Sequence, residues 1–155
     1  MILFNEELQS FYERIGYKGA GIALFREEPK GAFSVFLGKR AYHPGKGLWT
    51  FPGGSAEPKE NALHTAWREF YEETGVKLAT LKAQYIDEYE IKAPLFQWKT
   101  FIYVTDAHIR LKISHEFSKA GWVKEETFPK LNLHFGVKPV YEAYKQFRTT
   151  RKIEN

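Results

Sequence analysis

Cysteine is absent from this chain, which excludes disulfide bridges and thiolate metal sites and fits a reducing compartment. No apolar run approaches the roughly 18 residues that mark a membrane-spanning helix. The first residues, Met1-Ile2-Leu3-Phe4-Asn5-Glu6-Glu7, lack the basic start and apolar stretch of a secretory leader. These absences lead us to expect a cytoplasmic protein that does not engage a membrane. Internal repeats, low-complexity tracts and linkers are also missing, so residues 1–155 are expected to form one domain. Nor is there a dense Lys/Arg stripe with interleaved aromatics. The 23 basic and 19 acidic side chains leave a net charge of +4, and the basic residues are scattered except for Arg148, Arg151 and Lys152 near the C-terminus. Such a balance suits a polyanionic small molecule and gives no ground for nucleic-acid binding.

What the chain has is core material, with 43% apolar and 17% aromatic residues. Helical spacing of Leu8, Phe11, Tyr12 and Ile15 predicts a short helix over 5–15, capped by Asn5 and stopped at Gly16. Apolar runs at 19–25 and 33–37 flank a polar turn and predict a hairpin. Further strands are expected over 78–91, 100–105 and 121–123. A last helix over 139–151 would bury Val140, Ala143, Tyr144 and Phe147. Between the hairpin and these strands, a helix is expected over 61–73, ended by Gly75, with Leu63, Ala66, Trp67 and Phe70 as its core stripe. His64 on that helix is read as a surface or packing residue.

The chemistry is concentrated around that helix. Glu69, Glu72 and Glu73 stand at i, i+3 and i+4, so a helix turning about 100° per residue gathers their carboxylates on one side. Like charges at that spacing destabilise a helix by a few tenths of a kcal/mol. A hard divalent cation, Mg²⁺ or Mn²⁺, is the counterpart that an all-oxygen ligand set prefers. Glu60 stands nine residues before Glu69, half a turn out of phase, and must reach the same place from the loop–helix junction.

Gly54, Glu60, Arg68, Glu69, Phe70, Glu72, Glu73, Gly75 and Val76 together read G-x5-E-x7-R-E-U-x-E-E-x-G-U, with U bulky and apolar. In this the chain resembles the Nudix (MutT-like) hydrolases; Phe70 stands where an aliphatic residue is more usual. The resemblance covers roughly residues 18–147 in outline, and the box is its specific part. It implies an α+β fold, an α/β/α sandwich around a mixed sheet. It also implies a Mg²⁺-dependent pyrophosphohydrolase in which water attacks phosphorus of a nucleoside diphosphate linked to another group. Substrates on that reading are a nucleoside triphosphate, a dinucleoside polyphosphate or a nucleotide sugar.

By the same resemblance the main-chain carbonyl of Gly54 and the carboxylates of Glu69 and Glu73 are metal ligands, and Glu72 is either a further ligand or a partner that supports them. Glu60 supports them from behind, and Arg68 orients the glutamates. The base that deprotonates water is either a box glutamate, Glu72 among them, or the later Glu116. Lys39, Arg40 and Lys46 are candidates for phosphate contacts; Tyr17, Phe51, Tyr85, Tyr89, Phe96 and Trp98 are candidates for stacking on a base. A non-catalytic nucleotide sensor and an RNA 5′-end pyrophosphohydrolase remain as other readings, and the oligomeric state, monomer or homodimer, is open.

Overall fold

Strand β1 (Tyr17–Glu27) sends Ala20, Ile22 and Leu24 to one side of the sheet and Ala23 and Phe25 to the other, all fully buried. This two-residue alternation divides the protein into two cores. The computed structural model describes residues 16–108, 110–112 and 114–154, so the helix expected over 5–15 lies outside the described residues.

Around β1 a seven-stranded mixed sheet is built. β1 runs parallel to β6 (Phe96–Thr105) over its whole length, from Tyr17 opposite Phe96 to Arg26 opposite Thr105. β5 (Gln84–Ala93) closes that side as the antiparallel partner of β6. On the other side β1 splits its pairing. Its C-terminal end meets β2 (Phe33–Arg40), while Gly19, Ala20 and Gly21 meet the short β4 (Gly53–Ser55). β2 continues to β3 (Trp49–Thr50) and, on its other edge, to β7 (Phe117–Lys124).

One face of the sheet is covered by α1 (Ala62–Thr74), whose Ala66 and Phe70 pack with Ile22, Leu24, Phe36 and Phe101. The opposite face is covered by α2 (Val137–Glu154), whose Val140, Tyr141 and Tyr144 pack with Phe25, Phe33, Val35 and Phe128. The result is the expected α/β/α sandwich.

The box helix starts and stops where its sequence specifies. Asn61 is the N-cap, its side-chain oxygen accepting the His64 N–H at 2.8 Å. Gly75 is the C-cap at φ +74°, a left-handed conformation natural to glycine. Two expectations are corrected. Leu63 and Trp67 are exposed rather than core; Trp67 sits about 100° around the helix from Ala66 and uses its indole N–H on the Tyr103 hydroxyl at 3.1 Å. Residues 78–81 form a 3₁₀ turn rather than strand, burying Leu78 and Leu81 at its two ends, and β5 begins only at Gln84.

The end of α1 also anchors the chain that returns to β7. Helices leave their last carbonyls without internal partners. Here Lys112 N–H donates to Thr74 O at 3.0 Å and Ser114 N–H to Glu73 O at 3.2 Å. That attachment carries Glu116, just ahead of β7, back to the box helix.

Candidate active site

Arg68 is the structural centre of the box. Its Nε and one terminal nitrogen each donate to a Glu60 oxygen at 2.9 Å. The same terminal nitrogen reaches the Ser55 carbonyl on β4 at 2.9 Å. Its other terminal nitrogen donates to Glu69 at 3.0 Å and to both oxygens of Glu72 at 3.2 and 3.3 Å. One planar fork thereby ties β4, the loop before α1 and two helix carboxylates into a single arrangement. Glu60 is fixed further by the Thr65 hydroxyl at 2.6 Å and the Glu57 N–H at 3.1 Å. The Arg68 hydrogen bond, with smaller help from Thr65, holds its pKa down at about 2 against the opposing effect of burial. Glu60 thus faces the arginine and is linked to the acids through it, rather than reaching the same place with its own carboxylate as its spacing led us to expect.

On the far side of Arg68 lie three carboxylates that converge. Glu69, Glu73 and Glu116 each present an oxygen, all within 4.8 Å of one another. Glu73 is only 3% exposed. Burial, then the charges of Glu116 and Glu69, push its pKa up to about 9. Burial and the neighbouring Glu72 also raise Glu69. The Gly53 N–H reaches Glu73 Oε1 at 3.3 Å, and among the described residues no basic side chain forms an ion pair with Glu73 or Glu116. At Gly54 a Cβ atom would collide with the Glu69 carboxylate, so the β4 main chain lies directly against the acids. Repelling oxygens with a buried member and little cationic relief fit a hard divalent ion. Glu69, Glu73, Glu116 and the Gly54 main chain are the groups that could hold it.

A family model of the NUDIX domain matches residues 17–144. The chain belongs to the Nudix hydrolase family. Diphosphoinositol polyphosphate phosphohydrolase 2 of Homo sapiens is 30% identical over 150 residues, covering 93% of this chain and 77% of that protein. Nucleoside diphosphate-linked moiety X motif 6 of Mus musculus is 59% identical over 32 residues, 21% of this chain; the matched segment spans only 10% of that relative's length. Among solved structures, a binary complex of the C. elegans Ap4A hydrolase is similar with a TM-score of 0.70. That match is 20% identical and covers 86% of this chain and 98% of the other.

The Nudix box lines one end of a cavity of about 570 Å³. Among the residues singled out in the sequence, Gly54, Glu69, Glu73, Glu116, Arg40, Tyr17, Phe51, Phe96 and Trp98 all border this space. Glu72 stands apart from the converging trio, 50% exposed, with both oxygens on Arg68. Lys39, paired within β2, and Lys46, in the following turn, do not line the cavity; neither do Tyr85 and Tyr89. Arg40 does, with its Nε donating to Pro44 O at 2.8 Å. His134 and Phe135 are among the lining residues that the sequence did not single out. They sit in a turn without periodicity; an exposed aromatic just ahead of an amphipathic helix was the available signal. Burial and Arg40 lower the pKa of His134, which favours its neutral form.

Proposed function

We propose that this protein is a divalent-metal-dependent pyrophosphohydrolase that cleaves a nucleoside diphosphate linked to another group. The observation that carries the reading is the trio Glu69, Glu73 and Glu116, three carboxylates converging on the wall of the cavity with one of them buried. Mg²⁺ or Mn²⁺ would be held there by Glu69, Glu73 and the Gly54 carbonyl; when bound it would neutralise the phosphoryl oxygens and acidify water.

The chain's own groups supply the rest. Arg68 and Glu60 keep Glu69 in one rotamer, so the acids are arranged before the substrate arrives. Glu116, exposed and without a basic partner among the described residues, takes the proton of the attacking water. The water oxygen bonds to phosphorus and the bridging anhydride oxygen leaves with the bond electrons, giving two phosphorylated products. Among the described residues, Arg40 is the arginine on the cavity wall that a phosphate could meet.

Glu73→Gln tests this reading. We expect hydrolysis of a nucleotide panel in Mg²⁺ to drop to background while circular dichroism stays native. Near-parental turnover would refute the metal assignment. Tight binding of a panel member by the unmodified protein with no turnover of any would instead favour a nucleotide sensor.

A further inference from the structure

Leu63, Trp67 and Tyr71 follow one another at i, i+4 and i+8 along α1, so they share one flank of the helix. All three are open to solvent, by 44, 37 and 50%. The flank points toward β5, away from the acids. The Trp67 ring meets Tyr103 edge-on at 6.3 Å, and Tyr103 meets Tyr85 of β5 in the same way at 5.7 Å. Tyr85 is itself 48% exposed. Apolar surface thus runs from the outer side of α1 down to β5, the last strand of the sheet on that side. Four side chains of this size, each left about half open, amount to roughly 350 Å². That is the size at which an apolar patch commonly has a task.

The chain ahead of β1 enters beside this patch. Lys18 shares the walls of a small cavity with Asn61 and Ala62 at the start of α1, and Gly16 lies within about 7 Å of Lys18 along the chain. Gly16 has φ +54°, the left-handed conformation in which helices commonly end. Before it, Leu8, Phe11, Tyr12 and Ile15 recur at i, i+3, i+4 and i+7, the spacing of one apolar helix face. A helix over 5–15 measures about 16 Å, and the stripe from Leu63 to Tyr71 about 12 Å. A second copy of the chain is the other occupant such a face could take, and area decides against it. Stable association takes about 800 Å² from each partner, roughly twice what is open here. A segment already tethered at Gly16 needs far less, because its encounter is intramolecular.

We infer that residues 5–15 form a helix that lies along this flank of α1 and packs its apolar face onto Leu63, Trp67, Tyr71 and Tyr85. The segment braces the box helix on the side opposite its acids and closes the patch to solvent.

With no cysteine in the chain, one introduced thiol carries a spin label to a single place. The full chain, labelled with nitrogen-15, receives a nitroxide at His64→Cys, on the exposed side of α1, or at Lys145→Cys, on α2 across the sheet. We expect the first label to erase most of the amide signal of residues 8–15 and the second to leave it. Leu63→Ser combined with Tyr71→Ser alters exposed groups only, so the fold should survive. In that chain the signals of residues 8–15 should return under the His64→Cys label. Signals that survive the first label, or are lost equally to both, would overturn the docking. So would a loss that persists in the doubly substituted chain; if that chain fails to fold, the two labels alone decide. A last arm mixes isotope-labelled chains lacking nitroxide with unlabelled chains carrying it at position 64. Loss of signal there would place the segment on a second copy and overturn the tethered arrangement.

Discussion

Arg68 shows how much one side chain can carry when its donors are spent on main chain and acids alike. Its fork spans Glu60, Ser55 O, Glu69 and Glu72. A lysine has the charge but not the planar set of donors. Arg68→Lys should therefore leave the protein folded and lower metal affinity by roughly 10–100-fold, read by isothermal titration with Mn²⁺. Its partner Glu60 makes a separate prediction about acid. The pKa near 2 in the folded state lies below the ordinary 4.5. Between those values the unfolded chain binds more protons, so stability rises with pH through this window. The contribution is fully present above about pH 4.5 and lost as pH falls through 2. Urea midpoints recorded from pH 5 to pH 2 should fall more steeply for the parent protein than for Glu60→Gln.

At the level of elements, the β4–α1 junction sets the geometry of the acids. β4 can lie against Glu69 only because Gly54 has no side chain. Gly54→Ala should cost roughly 1–3 kcal/mol through overpacking and should separate the main chain from the carboxylate, so that denaturant titration shows lower stability and Mn²⁺ titration shows lost affinity. Much of this junction was legible in the sequence. Asn61 and Gly75 bounded α1 correctly because capping is local chemistry. The expected strand over 78–91 was too long because Leu78 and Leu81 are apolar at a spacing that suits a 3₁₀ turn as well as a pleat. Trp67 passed for core because periodicity records apolar character and not how wide a stripe the sheet covers. The rings of the cavity were visible as residue types, but their parallel arrangement depends on β1–β6 register, which no local pattern encodes.

Taken whole, the candidate site joins three separate stretches of chain: β4, the box helix, and the residue before β7. The box announced the first two by their fixed offsets. Glu116 came from resemblance, and its place beside Glu73 follows from long-range pairing of β7 with β2. A ligand that bridges such stretches binds the folded state alone, so it stabilises the whole molecule. Mg²⁺ at a hundred times its dissociation constant should add about 2.7 kcal/mol. Thermal melts with and without Mg²⁺ should show this rise in the parent protein and little of it in Glu73→Gln. An equal rise in both would place the ion elsewhere.

The two N–H bonds from Lys112 and Ser114 to the last carbonyls of α1 have a consequence for how this scaffold tolerates change in length. They clamp the returning segment downstream of Asp106 and upstream of Glu116. Residues inserted just after Asp106 would bulge outward without shifting the third acid, whereas a single residue inserted between Ser114 and Glu116 would swing it away. The first kind of insertion gives an engineer a position for grafting new specificity; the second gives a clean way to switch the protein off.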